Sequence, residues 1–265
     1  MKISINDKIK KDLFVALFQT LKNCTNIICL MFKKDHLYIQ GMDKSHVCLF
    51  DVKIQNQWFY VYEFNDSDAD NICVDAHTFH TIISKAHDSQ NVVFYFNGNS
   101  DILHIDLASP SQDTTITNVK GDYNKYFKIP LVEFDNEIME IPTPEYDAEF
   151  SIAAKKMCEI TSQMLLFGTD INFKCTEEQI DLITTGVTGE MLVKVPIEDL
   201  TEYSIVENET IDLNYSLGYI DKMCLTNKLS NEIHFCISPE YPMKIKYDLG
   251  DDSYVVFYIA PKVEE

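Results

Sequence analysis

The sequence contains no arginine, so all 22 of its basic residues are lysine. It also has only 8 glycines in 265 residues, and its 8 cysteines include no Cys-x-x-Cys pair. We find no Gly-rich phosphate-binding loop, nucleophile elbow or Ser/His/Asp spacing. We therefore predict a protein that is not an enzyme and that has no cofactor and no metal. Most cysteines lie inside apolar runs, which is typical of buried free thiols in a reducing compartment.

Long apolar runs are absent as well. No stretch approaches the about 18–20 uninterrupted apolar residues that a membrane helix requires. The start of the chain, Met1-Lys2-Ile3-Ser4, leads into charged residues rather than an apolar run. We therefore expect no secretion signal and no membrane partner.

Positive charge is scarce overall. Acidic residues number 42, and the formal net charge is −20. A chain this acidic repels phosphates unless its basic residues are segregated on one surface. Any contact with nucleic acid must therefore use a local basic face.

The sequence contains an internal repeat. Four segments, 27–42, 92–108, 170–185 and 232–249, each have two β-rich runs around a polar turn. A stretch with helical apolar spacing precedes each of them, and the second such helix has Asp75 as its predicted cap. Further strands are predicted at 48–54 and 191–195. The order helix, hairpin and strands thus occurs four times.

A proline-interrupted segment divides these repeats into two pairs. Residues 129–146 are rich in acids and contain Ile141-Pro142-Thr143-Pro144, which favours an extended connector. We predict an α+β protein with domains at 1–128 and 147–265, each built from a twice-repeated unit of helix and antiparallel strands, with 129–146 as the connecting loop.

The predicted helices carry lysines opposite their apolar stripes. One interpretation is that these are ordinary solvated helix faces. The other is that the four helices contribute to one basic surface, although Asp12, Glu159 and Asp221 lie near the same faces. The lysines concerned are Lys8, Lys10, Lys11, Lys22, Lys85, Lys155, Lys156 and Lys222.

Three motifs resemble one known family. They are Gln40-Gly41-Met42-Asp43-Lys44-Ser45-His46-Val47-Cys48-Leu49, Pro242-Met243-Lys244-Ile245-Lys246-Tyr247 and the end, Tyr258-Ile259-Ala260-Pro261-Lys262-Val263-Glu264-Glu265. Ile141-Pro142 with Glu145-Tyr146 is similar to the end of that family's connecting loop. On these motifs the chain resembles the eukaryotic and viral DNA sliding clamps of the proliferating cell nuclear antigen family.

The resemblance implies a homotrimeric ring in which helices line the hole and sheets form the outer wall. Double-stranded DNA would pass through the hole without sequence readout, and the lysines named above would face it. The implied partners are DNA polymerase, other replication and repair proteins, and an ATP-driven clamp loader. The expected location is the nucleus for a cellular protein, and the nucleus or a cytoplasmic replication site for a viral one.

The resemblance also implies a hydrophobic pocket under the connecting loop. It would accept a short partner motif with one aliphatic and two aromatic anchors. Plain core packing is the alternative for Met42, Val47 and Leu49. The implied lining is Met42, His46, Val47, Leu49, Met139, Ile141, Tyr146, Pro242, Tyr258, Ile259, Ala260 and Pro261.

Other interpretations exist for single motifs and for the function. His77 and His80 with Asp75 have ligand chemistry for zinc, but a structural role on a helix is favoured. Residues 66–70 imitate the start of a calcium loop but lack its glycine and glutamate, which indicates an acidic surface loop. A checkpoint-type heterotrimeric clamp, a clamp-like protein used in transcription and an acidic α+β hydrolase stay open as functions.

Overall fold

The computed structural model describes residues 1–64, 72–98, 100–110, 123–224 and 228–262. The acidic loop at 66–70 and the last three residues of the terminal motif lie outside this range. The described residues include no helix long and apolar enough to cross a bilayer.

Helices and antiparallel strands alternate along the chain. The helices are α1 Lys8–Leu21, α2 Ala76–Ile83, α3 Ala154–Met164 and α4 Leu217–Cys224. The strands up to residue 130 are β1 Lys2–Ile5, β2 Ile27–Phe32, β3 His36–Met42, β4 Cys48–Gln55, β5 Val61–Glu63, β6 Ile72–Asp75, β7 Asn91–Tyr95, β8 Ile102–Ala108 and β9 Lys125–Pro130. The later strands are β10 Ala148–Ala153, β11 Asp170–Cys175, β12 Gln179–Gly186, β13 Gly189–Pro196, β14 Glu202–Ile205, β15 Ile211–Ser216, β16 Glu232–Ile237, β17 Met243–Gly250 and β18 Ser253–Ile259.

The chain forms two compact units. The first unit comprises Met1–Gly41, Asp51–Ile138 and Leu249–Ser253, and the second comprises Met42–Phe50, Met139–Asp248 and Tyr254–Glu265. The first unit contains the sheet β5-β1-β7-β8-β9, and its β2 pairs with both β3 and β6. The second contains the sheet β13-β12-β11-β15 and the strand order β14-β10-β16-β17-β18.

Aromatic side chains pack the helices of the first unit onto its sheets. The α1 helix begins at Asp7, whose carboxylate accepts from the Lys10 N–H at 2.9 Å. Phe18 lies between Phe14 and Phe79, with ring centroids 4.7 Å away on each side. Asp75 caps α2 by accepting from the Thr78 N–H at 2.7 Å, which confirms the predicted cap.

The second unit has the same organisation. Helices α3 and α4 contact each other, and α3 buries Met157 and Met164. In the sheet that they cover, Phe150 on β10 stacks on Phe235 of β16 with ring centroids 4.9 Å apart. Burial of each such ring contributes roughly 1.5–3 kcal/mol.

The predicted α+β fold is confirmed. Each predicted hairpin corresponds to an antiparallel pair: β2–β3, β7–β8, β11–β12 and β16–β17. The cysteines differ in one respect from the expectation of buried free thiols. Six are free and five of these are buried, but Cys29 and Cys73 are joined by a disulfide. They are register partners on β2 and β6, a proximity that arises from strand pairing across 44 residues.

Candidate partner groove and basic helix faces

An apolar groove lies within the second unit. Its cavity volume is about 210 Å³. Four pieces of chain form it: the residues flanking the loop between β3 and β4, the connector 139–146, the segment at Tyr241 and Pro242, and Tyr258 on β18. The lining residues are Met42, Leu49, Met139, Glu140, Ile141, Pro142, Pro144, Tyr146, Tyr241, Pro242 and Tyr258.

The structure brings together many of the residues that the resemblance implies for a partner pocket. Those that line the groove are Met42, Leu49, Met139, Ile141, Tyr146, Pro242 and Tyr258. Four further lining residues are not among the implied set: Glu140, Pro142, Pro144 and Tyr241. Pro142 and Pro144 lie in the same connector motif as Ile141, so the proline spacing was the signal that could have identified these two.

The remaining implied residues lie outside this lining. Ile259 is fully buried, because successive side chains of β18 point to opposite faces and Tyr258 is the one that points to the groove. Val47 accepts a backbone hydrogen bond from the Ala260 N–H at 3.1 Å, and Pro261 follows directly. The His46 ring nitrogen Nδ1 lies 2.9 Å from the sulfur of Met42. None of these five implied residues is part of the groove's lining.

Asp43, whose role no sequence pattern indicates, fixes the loop that presents Met42 and Leu49. Its Oδ1 accepts from the N–H groups of Val47 at 2.8 Å and Cys48 at 2.7 Å. Its Oδ2 accepts from the Ser45 N–H at 2.9 Å and from the Tyr219 hydroxyl at 2.6 Å. Burial acts to raise the pKa of Asp43, but the hydrogen bonds from Tyr219 and the backbone outweigh it and the pKa is lowered.

Two tyrosines give the groove its polar margin. The Tyr146 hydroxyl donates to the Pro242 carbonyl at 3.3 Å, and burial raises the pKa of Tyr146 to about 12. Tyr241 meets the Tyr146 ring edge-on with centroids 6.3 Å apart. Pockets for drug-sized ligands have volumes of about 300–1,000 Å³. A groove of about 210 Å³ suits one or two side chains of a peptide instead.

The lysines of the first unit fall into different environments. Lys8 and Lys85 are exposed, and Lys8 forms an ion pair with Asp88. Lys10 is half-buried and donates to Asp251 at 2.7 Å and to the Trp58 carbonyl at 2.8 Å. The Lys22 ammonium lies 3.1 Å from a ring nitrogen of His80.

Lys11 departs from the predicted exposed set. It is only 5% exposed, and its ammonium donates to the carbonyls of His87, Asp88 and Gln90 at 3.1, 2.8 and 2.6 Å. Burial lowers the pKa of Lys11. The residue ties α1 to the segment before β7 and is a structural contact, not a surface charge.

The helix lysines of the second unit are all exposed. Lys155 and Lys156 lie in the first turn of α3. Lys222 lies in the last turn of α4, with its ammonium 5.3 Å from the centroid of the Tyr219 ring. A cation in the last turn of a helix is favourable, whereas two at the start of α3 oppose the helix dipole. The α3 pair therefore does not stabilise its helix through the helix dipole.

Each unit also has a long edge strand. Among the described residues, β9 pairs only with β8 and β13 only with β12. Each exposes a large apolar side chain: Tyr126 on β9 is 68% exposed and Leu192 on β13 is 46% exposed. Unpaired edges of this length favour pairing with another chain.

Comparison with known proteins agrees with this geometry. A chain of Plasmodium falciparum named proliferating cell nuclear antigen 2 is 26% identical over 97% of each sequence. A chain of Sulfolobus acidocaldarius named DNA polymerase sliding clamp 2 is 25% identical over the full length of both. Among solved structures, the proliferating cell nuclear antigen of Thermococcus kodakaraensis has a TM-score of 0.84 at 20% identity and covers 98% of this chain and 99% of its own. A chain from the complex of proliferating cell nuclear antigens 2 and 3 of Sulfolobus tokodaii also has a TM-score of 0.84 at 20% identity, and the match covers 100% of this chain and 100% of that chain.

Family models match both halves of the chain. Residues 7–136 match the N-terminal domain of proliferating cell nuclear antigen, and residues 140–262 match its C-terminal domain. The two matches follow each other in the family's order and leave few residues uncovered. This chain therefore belongs to the proliferating cell nuclear antigen family.

Proposed function

We propose that three copies of this chain close into a ring around duplex DNA and act there as a sliding clamp. The ring would raise the processivity of DNA polymerase and tether other replication and repair proteins. The observation that carries this proposal is that β9 in the first unit and β13 in the second each end a sheet and expose a large apolar side chain. A head-to-tail contact between two different surfaces generates a ring when its rotation closes. Pairing β9 of one copy with β13 of the next would satisfy both edges and cover Tyr126 and Leu192.

Weak contacts with DNA follow from the charge distribution. The exposed helix lysines offer point charges without the two-pronged phosphate grip of arginine, which suits movement along the backbone. The rest of a chain with net charge −20 repels phosphate. Retention on DNA would then depend on closure of the ring, and the contacts would not depend on sequence.

The groove of the second unit is the proposed docking site for partner proteins. A helical-turn peptide with one aliphatic and two aromatic anchors would place an anchor between Met42, Leu49 and Ile141. DNA polymerase is the first expected carrier of such a motif. An ATP-driven clamp loader is also an expected partner, because a closed ring must open to admit DNA that has no free end.

Light scattering tests the assembly. At tens of micromolar we expect a mass three times the 30.6 kDa of the chain. Tyr126→Lys combined with Leu192→Lys should give monomers, whereas Tyr60→Lys, at a side chain 66% exposed outside both β9 and β13, should not. A monomer that assembles only with a second clamp protein would replace the homotrimer by a mixed ring.

A nicked circular plasmid tests the topological hold. Protein loaded onto the circle should stay bound through a high-salt wash and should be released when the plasmid is cut to a linear form. Equal retention on circular and linear DNA would show ordinary binding and would contradict the clamp proposal.

A further inference from the structure

Three side chains with metal-binding atoms meet on one face of the second unit. The carboxylate of Glu149, an imidazole nitrogen of His234 and the sulfur of Cys236 all lie within 4.8 Å of one another. The strands β10 and β16 place them there. Glu149 and Cys236 are register partners, and His234 is two residues from Cys236, so all three point to the same side of the sheet.

Neighbouring groups orient the imidazole. Nδ1 of His234 lies 3.0 Å from the Ser151 hydroxyl, and that hydroxyl lies 3.4 Å from a carboxylate oxygen of Glu202. If Nδ1–H donates to Ser151 and Ser151 donates to Glu202, the lone pair of Nε2 points towards Glu149, whose oxygen is 3.4 Å away. In that tautomer the imidazole has the outer hydrogen-bond arrangement of metal-binding histidines, which donate through one nitrogen and ligate through the other.

We propose that Glu149, His234 and Cys236 bind one zinc ion. Sulfur, imidazole nitrogen and carboxylate oxygen are the ligands that zinc takes, at about 2.0–2.3 Å, and three of them leave a fourth tetrahedral position for water. Ligand atoms already within 4.8 Å need only side-chain adjustment to reach a common ion. A cavity of about 610 Å³ lies beside the cluster and is lined in part by His234 and Ser151, although not by Glu149 or Cys236.

Binding must displace the proton of Cys236. Burial, followed by the nearby charge of Glu149, raises the pKa of this thiol to about 12, so at neutral pH zinc exchanges with one S–H proton. The charges of Lys244 and Lys246 on the adjacent β17 act to lower the pKa of the Cys236 thiol, and they also repel the cation.

Two further groups near the cluster bear on its charge. The Tyr146 hydroxyl is close enough to Cys236 and Glu149 for their charges to add to the burial that raises its pKa, so this phenol stays neutral. Glu202 lies 4.0 Å from Nδ1 of His234 and adds negative charge that favours a cation.

The zinc proposal does not rest on the clamp function. Only the pairing of β10 with β16 brings the three ligands together, and that pairing exists within one chain. A failure of ring assembly would therefore leave the zinc site untouched, and absence of zinc binding would leave the clamp proposal untouched.

Calorimetric titration of zinc chloride into the untagged, chelator-stripped full chain tests the site, without reductant so that the Cys29–Cys73 disulfide stays closed. We expect one ion per chain in the wild type. Glu149→Gln, His234→Ala and Cys236→Ser should each weaken binding about tenfold or more, and Ser151→Ala should weaken it about 10–100-fold through the orientation of His234. Cys175→Ser is the matched control, because it removes another buried thiol of the same unit and should leave zinc binding unchanged.

Cobalt supplies a second readout that does not depend on stability. Cobalt bound to the wild type should show thiolate-to-metal charge-transfer absorption, and Cys236→Ser should abolish it while Cys175→Ser keeps it. Absence of zinc binding in the wild type, equal affinity in the three ligand variants, or cobalt binding without charge transfer would each overturn the proposal.

Discussion

Replacing Lys11 tests whether its ammonium stabilises the first unit, as its three carbonyl contacts indicate. The change Lys11→Met keeps most of the apolar stem but removes the donor to His87, Asp88 and Gln90. Lys8→Met, one turn away on the same helix, is the matched control because Lys8 is exposed and its ion pair with Asp88 lies at the surface.

The expected loss follows from the burial of the acceptors. Hydrogen bonds to charged groups contribute about 1.5–3 kcal/mol each, and a buried carbonyl left without a donor costs about 1–3 kcal/mol. His87 and Asp88 are exposed, so water can replace the lysine at their carbonyls, whereas Gln90 is fully buried. We therefore expect Lys11→Met to lower the free energy of unfolding by about 2–4 kcal/mol. Lys8→Met should leave it close to that of the wild type, because the Lys8–Asp88 ion pair lies at the surface.

Urea denaturation followed by circular dichroism measures both variants at equal protein concentration. The unfolding midpoint of Lys11→Met should shift clearly below that of the wild type, with Lys8→Met close to it. Equal midpoints for the two variants would refute the structural role assigned to Lys11.

Three further outcomes are expected. Ile141→Ala should weaken binding of an aromatic-anchored peptide by about 1 kcal/mol or more in calorimetry, with the trimer mass retained; unchanged affinity would place the peptide elsewhere. Asp43→Asn should lower the free energy of unfolding above about pH 4 and make it depend less on pH in the acid range. The reason is that the pKa of Asp43 is lower in the folded state than in the unfolded state. Its carboxylate therefore stabilises the fold above the unfolded pKa, and this stabilisation is lost as the pH falls through the folded pKa. Urea midpoints between about pH 3 and 7 check this, and parallel curves would contradict it. Combined reversal to Glu of three exposed helix lysines and of Lys85, which follows α2, should impair polymerase processivity most at raised salt; the helix lysines are Lys155, Lys156 and Lys222. Lys34→Glu in a strand turn is the control, and an unchanged salt profile would contradict the prediction.

Much of the fold is predictable from the sequence because its signals are local. Alternating strands around polar turns predict the four hairpins, and apolar spacing with Asp75 as a cap predicts α2. The Cys29–Cys73 disulfide depends instead on which strands become neighbours, and β2 and β6 are brought together by tertiary packing. Nothing in the local pattern around either cysteine specifies the other.

The site is predictable to the extent that motif and side-chain direction agree. The motif at 40–49 and the connector identify Met42, Leu49 and Ile141, which the structure places in one groove. The terminal motif predicts that both Tyr258 and Ile259 line the pocket. Side chains alternate along a strand, so the two point to opposite faces and only Tyr258 lines the groove. Helical spacing predicts that Lys11 lies on the polar face of α1, but it does not show that the segment before β7 covers this side chain.

The distribution of lysines explains why a protein of this charge would hold DNA by enclosure. Lys11 is occupied by backbone carbonyls, and Lys8 and Lys10 each face a carboxylate, so the first unit contributes less positive charge than its sequence indicates. Each phosphate contact adds about 0.9 to the slope of log affinity against log salt, so a few contacts per chain give only modest affinity at physiological salt. The acidic remainder lowers it further. A contact this weak permits sliding, and closure of the ring would then supply the long residence on DNA that the charges alone do not.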